Sequence, residues 1–73
     1  RIIGENGRTK ELIEELADVN MVISNEYVGL IGETNNVSKA RESIYNLIDG
    51  VPHSRVYNSL EQYHKKLNIS NKL

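Results

Sequence analysis

The sequence predicts a small domain of the α+β class. Two segments with helical periodicity enclose a pair of β-branched segments, and a further helical segment closes the chain. The 73 residues provide room for one domain with a small core, since a chain near this length buries only about 60% of its unfolded surface. We find no internal repeat and no linker, so residues 1–73 are interpreted as one domain.

Composition excludes several classes of function. The net charge is -1, and the absence of cysteine excludes disulfides and thiolate metal sites. His53 and His64 are too few for a closed zinc site, and we interpret the first as a connector residue and the second as facing solvent. No apolar run approaches the roughly 20 residues of a membrane helix, and no signal peptide is visible. We therefore expect a cytoplasmic domain without a cofactor.

The first half of the chain predicts a helix followed by an antiparallel hairpin. The helix is expected at residues 8–16, and its apolar face is formed by Leu12, Ile13 and Leu16. Residues 19–24 and 27–32 are apolar and β-branched, with a two-residue turn between them, which is typical of paired strands. Because side chains alternate along a strand, we expect Met21 and Ile23 to pack under the helices and Val22 to lie on the opposite face.

The second half predicts two more helices. Asn36 is the expected N-cap of the first, and Gly50 is expected to end it in a left-handed conformation. Pro52 prevents that helix from continuing, and Ser54 is the expected cap of an appended C-terminal helix spanning 53–67. The apolar positions of these helices are Val37, Ala40, Ile44, Leu47 and Ile48 in the first, and Val56, Leu60 and Leu67 in the last. The remaining tail is expected to fray.

A glycine-bracketed loop, Gly4-Glu5-Asn6-Gly7, precedes the first helix and has the form G-x-x-G. Glycine tolerates positive φ and lets another backbone approach closely, while a helix start presents free N–H groups to an anion such as phosphate. Three cations, Arg1, Arg8 and Lys10, flank the loop. Taken alone, so short a motif is better explained as a plain turn between helices. The neighbouring elements are needed to distinguish a turn from a phosphate-binding loop.

In its context, the motif resembles a KH domain of the type I arrangement, β-α-α-β-β-α, whose first strand lies outside this chain. Ile3, Gly4, Gly7, Arg8 and Ile13 carry the match, together with the hairpin and helix that follow. The resemblance implies that the loop clamps about four nucleotides of single-stranded RNA, with the bases in an apolar groove. The implied RNA-binding residues are Arg1, Ile3, Gly4, Glu5, Asn6, Gly7, Arg8, Lys10, Ile13, Met21 and Val22.

A longer segment, ARESIYNLIDGVPHSRVYNSLE at residues 40–61, is similar to the second KH unit of the partner-of-NOB ribosome-assembly proteins of archaea and eukaryotes. The presence of His53 between Pro52 and Ser54 in this segment resembles the archaeal members. The resemblance implies non-catalytic binding to the 3′ region of small-subunit rRNA. It also implies two protein partners, the endonuclease that trims this end and the alpha subunit of initiation factor two.

Two alternatives remain open beside RNA binding. Many KH loops carry Lys or Arg between the glycines, whereas this loop carries Glu5 and Asn6, so we expect modest affinity and a shallow salt dependence. A degenerate KH module would act instead as a protein-interaction domain through its last helix, with contacts from Arg55, Tyr57, Tyr63 and Lys65. An enzyme that uses the loop for nucleotide phosphate is disfavoured, because the Lys-Ser/Thr of a P-loop is absent.

The predicted hairpin raises one further expectation. Two strands alone make a poor sheet. We therefore expect a third strand, which is either supplied by residues upstream of Arg1 or contributed by another chain.

Overall fold

The computed structural model describes the backbone of residues 7–72 and the side chains of residues 7–69. The elements in chain order are α1 (Arg8–Ala17), β1 (Asn20–Ile23), β2 (Val28–Ile31), α2 (Thr34–Ile48) and α3 (His53–Lys72). The two strands form an antiparallel hairpin in which Met21 lies opposite Leu30. Helices α1 and α2 pack against the hairpin, and α3 packs on both helices. The predicted order of elements is therefore confirmed over the described residues.

The core lies between the three helices and the helix-facing side of β1. Its buried side chains are Ile13, Leu16, Ala17, Val19, Met21, Ala40, Ile44, Leu47, Val56 and Leu60. The apolar positions predicted for α2 and α3 supply much of this set. Ile48 is an exception, since it is 57% exposed. Ile23, which we expected under the helices, is also 41% exposed, because its pair with Val28 lies at the turn end of the hairpin, where both side chains remain accessible.

The start of α2 differs from the sequence prediction. Glu33, not Asn36, is the N-cap, and its carboxylate accepts a hydrogen bond from the Asn35 backbone N–H over 3.0 Å. Asn36 is the third residue of the helix, within its first turn, and is buried. Its side-chain oxygen accepts a hydrogen bond from the hydroxyl of Tyr63 on α3. A tertiary partner thus uses the amide that sequence reasoning assigned to local capping.

The connection between α2 and α3 has the conformation that the sequence predicts. Gly50 has a φ of +95°, and its N–H donates to the Leu47 carbonyl over 3.1 Å. The N–H of Val51 donates to the Asn46 carbonyl over 2.9 Å, which completes a Schellman motif. The prediction that Gly50 ends α2 in a left-handed conformation is therefore confirmed.

The bounds of α3 differ from those predicted. The helix begins at His53, so Ser54 lies inside the first turn and is not the cap. The Pro52 carbonyl accepts hydrogen bonds from the N–H groups of Arg55 and Val56 and so starts the helix. At the other end α3 runs to Lys72 and includes the segment that we expected to fray after residue 67.

Candidate nucleic-acid interface

The start of α1 is the part of the predicted RNA-binding surface that lies within the described residues. Gly7 stands immediately before the helix with a φ of +67°, a left-handed conformation that glycine adopts without steric cost. Arg8 begins the helix with an exposed side chain. Five predicted contacts lie outside the described residues and stay predictions: Arg1, Ile3, Gly4, Glu5 and Asn6.

The first turn of α1 presents backbone donors. The hydrogen bond from the Glu11 N–H to the Gly7 carbonyl, 3.0 Å long, closes the first helical turn. Helical geometry leaves the N–H groups of Arg8, Thr9 and Lys10 without an intrahelical acceptor, and Gly7 has no side chain that could cap them. The helix dipole adds partial positive charge at the same end. This end of α1 is therefore suited to an anionic group such as phosphate.

The two cations of the first turn differ in their contacts with the described residues. The Lys10 ammonium lies 3.4 Å from the Glu14 carboxylate one turn along the helix, and its side chain is 35% exposed. Such a surface pair is weak, but it directs the ammonium toward the C-terminal end of α1. Arg8 is exposed and directly follows Gly7. Arg8 is therefore better placed than Lys10 to meet a phosphate at the helix start.

Glu14 also connects α1 to the sheet. Its second carboxylate oxygen accepts a hydrogen bond from the Met21 backbone N–H over 2.8 Å. This bond lowers the pKa of the Glu14 carboxyl below its usual value. The charge of Lys10 acts in the same direction, whereas desolvation opposes it. The ionised carboxylate is therefore part of the folded structure.

Thr9, in the first turn of α1, is held by α3. Its side chain is only 6% exposed, and its hydroxyl lies 2.8 Å from the hydroxyl of Tyr57. The Tyr57 ring in turn meets the ring of His53 edge to face, with their centroids 5.8 Å apart. Sequence reasoning missed Thr9, although its position four residues before Ile13 places it on the buried face of α1.

The apolar candidates for base contact divide into two groups. Ile13 and Met21 are 0% and 3% exposed, so they fill the core and offer no surface on which a base could stack. The assignment of these two residues to an RNA groove is corrected, because helix packing uses their side chains. Val22 is 47% exposed on the face of the hairpin that points away from the helices, as its strand position predicts. Its contact with RNA stays a prediction.

The residues predicted to bind a protein partner also divide into two groups. Arg55 and Lys65 are exposed on α3. Tyr57 and Tyr63 are partly buried, and their hydroxyls bond within the chain, to Thr9 and to Asn36. Burial raises the pKa of the Tyr63 hydroxyl, and the nearby charge of Glu33 adds to this effect. The two tyrosines thus act inside the fold, and a partner surface on α3 stays a prediction for the exposed residues.

His64 is not on the solvent side of α3 as the sequence suggested. It is partly buried, and its Nδ1 atom is shielded from solvent and has no hydrogen-bond partner among the described residues. Within the described residues, no group of three His, Asp or Glu side chains is arranged to hold a metal ion. None of the helices described is both long and apolar enough to cross a bilayer.

An apolar groove of about 330 Å³ lies between β2 and α2. Its lining is formed by Val28, Leu30, Val37, Arg41, Ile44, Tyr45 and Ile48. Tyr45 and Ile48 are 59% and 57% exposed in it. Among the described residues β2 pairs only with β1, so one of its edges is open. The groove and this edge agree with the expectation of a third strand, whose source the described residues leave open.

A family model for the second KH unit of PNO1 proteins, described as a eukaryotic-type KH domain of type I, matches residues 1–65. The chain belongs to the type I KH-domain family. This KH domain is 36% identical over 67 residues to the RNA-binding protein pno1 of Drosophila pseudoobscura pseudoobscura. The aligned region covers 92% of the chain and 28% of that relative. It is 32% identical over 62 residues to the pre-rRNA-processing protein pno1 of Emericella nidulans, covering 85% and 24%.

The fold of this KH domain is also similar to a solved structure. A crystal structure of a protein of unknown function from Aeropyrum pernix superposes with a TM-score of 0.84 at 33% identity, covering 99% of the chain and 38% of that protein. The predicted KH fold is therefore confirmed. The KH domain spans well under half the length of each of these proteins.

Proposed function

We propose that this KH domain binds single-stranded RNA without catalysis, through the loop from Gly4 to Gly7 and the first turn of α1. The observation that carries the proposal is the left-handed Gly7, which leads into a helix start whose first N–H groups have no intrahelical acceptor and into the exposed Arg8. Membership of the KH family supports it, as do the names of two relatives, an RNA-binding protein and a pre-rRNA-processing protein.

The chemistry of this end of α1 favours the RNA backbone over the bases. No atom of the described residues outside the immediate neighbours of Gly7 lies within 4 Å of where a Cβ on Gly7 would stand, so the backbone is open to a close approach. The N–H groups of the first turn then donate to phosphate oxygens, and Arg8 adds a full charge that reaches outward. Contacts of this kind position a strand but do not read its sequence. The net charge of -1 and the small number of cations limit the affinity.

The RNA that we propose is the 3′ region of small-subunit rRNA. The pre-rRNA-processing name of the fungal relative supports this choice. For the complete protein we propose two partners, the endonuclease that trims this end and the alpha subunit of initiation factor two, and a cytoplasmic location. These proposals follow from the resemblance to the partner-of-NOB proteins.

The test is a binding titration of the full-length protein with a fluorescent single-stranded RNA of the rRNA 3′-end sequence. Arg8→Glu removes a phosphate contact and adds a repulsive charge, so we expect it to weaken binding about tenfold. Arg55→Glu makes the same charge change at an exposed site on α3 and serves as the matched control. A loop variant with Glu5→Asp and Asn6→Asp together adds a negative charge beside the phosphate track, so it should also lose affinity.

Two outcomes would contradict the proposal. Equal affinity of the wild type and Arg8→Glu for RNA would show that the RNA does not bind at the start of α1. A loss with Arg55→Glu as large as the loss with Arg8→Glu would show a general charge effect or an RNA surface on α3. If Arg55→Glu still binds RNA but no longer binds the endonuclease, α3 carries a protein interface in addition to the RNA site.

A further inference from the structure

We propose that Tyr57 is a positioning residue for RNA recognition, which holds the start of α1 through its hydrogen bond to Thr9. The inference rests on the proposed function and deepens it. Tyr57 lies on α3, 48 residues from Thr9 along the chain, and the two hydroxyls are 2.8 Å apart. One hydroxyl donates to the other, so each satisfies its partner in a partly buried site.

The start of α1 needs such support because its N-cap residue has no side chain that could cap it. Gly7 is the N-cap residue and contributes no side-chain hydrogen bond. Most helices gain stability at this end from a Ser, Thr, Asp or Asn cap, and without one the first turn tends to fray. In this KH domain the first turn is instead fastened from outside by the Tyr57 hydroxyl on Thr9.

Tyr57 is itself firmly held. Its ring meets His53 edge to face on one side of α3. Its sequence neighbour Val56 is 2% exposed, and Leu60, one turn further along, is fully buried against the core. The hydroxyl therefore projects from a packed part of the molecule, and a rigid support orients a neighbouring element better than a mobile one does.

Thr9 lies next to Arg8 and two residues from Gly7. Fixing Thr9 therefore fixes the direction of the first-turn N–H groups and the base of the Arg8 side chain. Donors that are already oriented bind without a loss of conformational freedom at the moment of association. Release of Thr9 should thus lower the affinity for RNA even where the domain stays folded.

The experiment compares hydroxyl deletions in the full-length protein. Tyr57→Phe keeps the ring and its contact with His53, and Thr9→Val keeps the shape of Thr9, while Thr9→Ser retains the hydroxyl. We expect Tyr57→Phe and Thr9→Val each to weaken binding of the rRNA 3′-end oligonucleotide about three- to tenfold. Thr9→Ser should restore affinity near that of the wild type. The double variant should bind no more weakly than the singles, because both remove the same bond.

The control is Tyr27→Phe, which removes a hydroxyl from a side chain that is 62% exposed and lies outside the groove between β2 and α2. It should leave the affinity unchanged. Amide hydrogen exchange at Glu11, whose N–H bonds to the Gly7 carbonyl, reports fraying of the first turn without any RNA. We expect faster exchange there in Tyr57→Phe and Thr9→Val, measured at a temperature where every variant is folded.

The outcomes separate the inference from the proposed function. Wild-type protein that binds RNA, together with Tyr57→Phe protein that binds equally well, overturns the positioning role and leaves the proposed function intact. Faster exchange at Glu11 without loss of affinity gives Tyr57 a purely structural role and also overturns the inference. Absence of RNA binding by the wild type overturns the proposed function itself.

Discussion

The Glu14 carboxylate accepts a 2.8 Å hydrogen bond from the backbone N–H of Met21, which ties the middle of α1 to β1. In the described hairpin β1 pairs only with β2, and this N–H points to α1 instead. A strand edge with free donors can pair with another chain, so the carboxylate protects this position of the sheet. The same carboxylate also holds the Lys10 ammonium, which couples the sheet contact to the charges near the proposed RNA site.

The pH dependence of stability should report this bond. The folded structure lowers the pKa of Glu14 from a reference value of 4.5. Its contribution is therefore fully present above pH 4.5 and is lost as the pH falls through the lower folded pKa. Urea unfolding from about pH 7 to about pH 3 should show Glu14→Gln less stable by about 1 kcal/mol near neutrality, with the difference vanishing in acid.

Glu15→Gln is the matched control for this experiment, because Glu15 is an exposed neighbour on the same helix. Its unfolding curve should follow that of the wild type. A Glu14→Gln deficit that persists undiminished at low pH would mean that the charge of Glu14 does not stabilise the fold.

Lys10 should matter less to RNA binding than Arg8. The Glu14 carboxylate lies 3.4 Å from the Lys10 ammonium, whereas Arg8 is exposed at the helix start. We expect Arg8→Met to reduce the slope of log affinity against log salt by about one and Lys10→Met to leave it nearly unchanged. The measurement is a set of RNA titrations between low and physiological salt. A larger slope change for Lys10→Met would show that Lys10 leaves Glu14 when RNA binds.

Tyr63 should contribute to stability through Asn36. Tyr63→Phe removes the hydroxyl that donates to the buried side chain of Asn36, so an acceptor is left without its partner in the core. We expect a loss of about 1–3 kcal/mol in the free energy of unfolding. Tyr27→Phe, at a side chain that is 62% exposed, should change it by less than about 0.5 kcal/mol. Chemical denaturation measures both variants, and equal stability would show that the Tyr63 bond is not needed.

The groove beside β2 should be covered in a longer chain. If residues upstream of Arg1 supply the third strand, the backbone of Val28–Ile31 will exchange its amide hydrogens more slowly in a longer protein than in the 73-residue chain. Ile48→Glu should then destabilise the longer protein and have little effect on the short one, because Ile48 is 57% exposed in the groove.

Ile69→Glu is the control for the groove, because Ile69 is 61% exposed on α3 outside it. It should affect both lengths of chain equally. Equal exchange of β2 in the two proteins would show that the strand comes from another molecule or that the edge stays open.

Local patterns in the sequence predicted what depends on neighbouring residues. The helical spacing around Ile13 and the β-branched segments of the hairpin identified their elements, because burial of one face requires that periodicity. Gly50 was predicted to end α2, because glycine adopts the left-handed conformation of a helix end without steric cost. The G-x-x-G loop and the similarity in the second half of the chain led to the KH family, which the family model confirms.

Side-chain partners distant in the chain could not be predicted in this way. Asn36 has the chemistry of an N-cap, but packing of α3 brings the Tyr63 hydroxyl to it, so Glu33 caps the helix instead. Ile13 and Met21 are apolar enough for a base groove, but the helices bury them. A residue type states which contacts are favourable, whereas the choice among them depends on which groups meet in space.

Local periodicity and contiguous motifs were enough to predict the order of elements, the antiparallel hairpin, the left-handed end of α2 and the family of this protein. The packed fold, by contrast, brings Tyr57 to Thr9 and the backbone N–H of Met21 to Glu14. A hydrogen bond is set by distance, and packing of α3 and β1 against α1 creates distances between residues far apart in the sequence that no local pattern encodes.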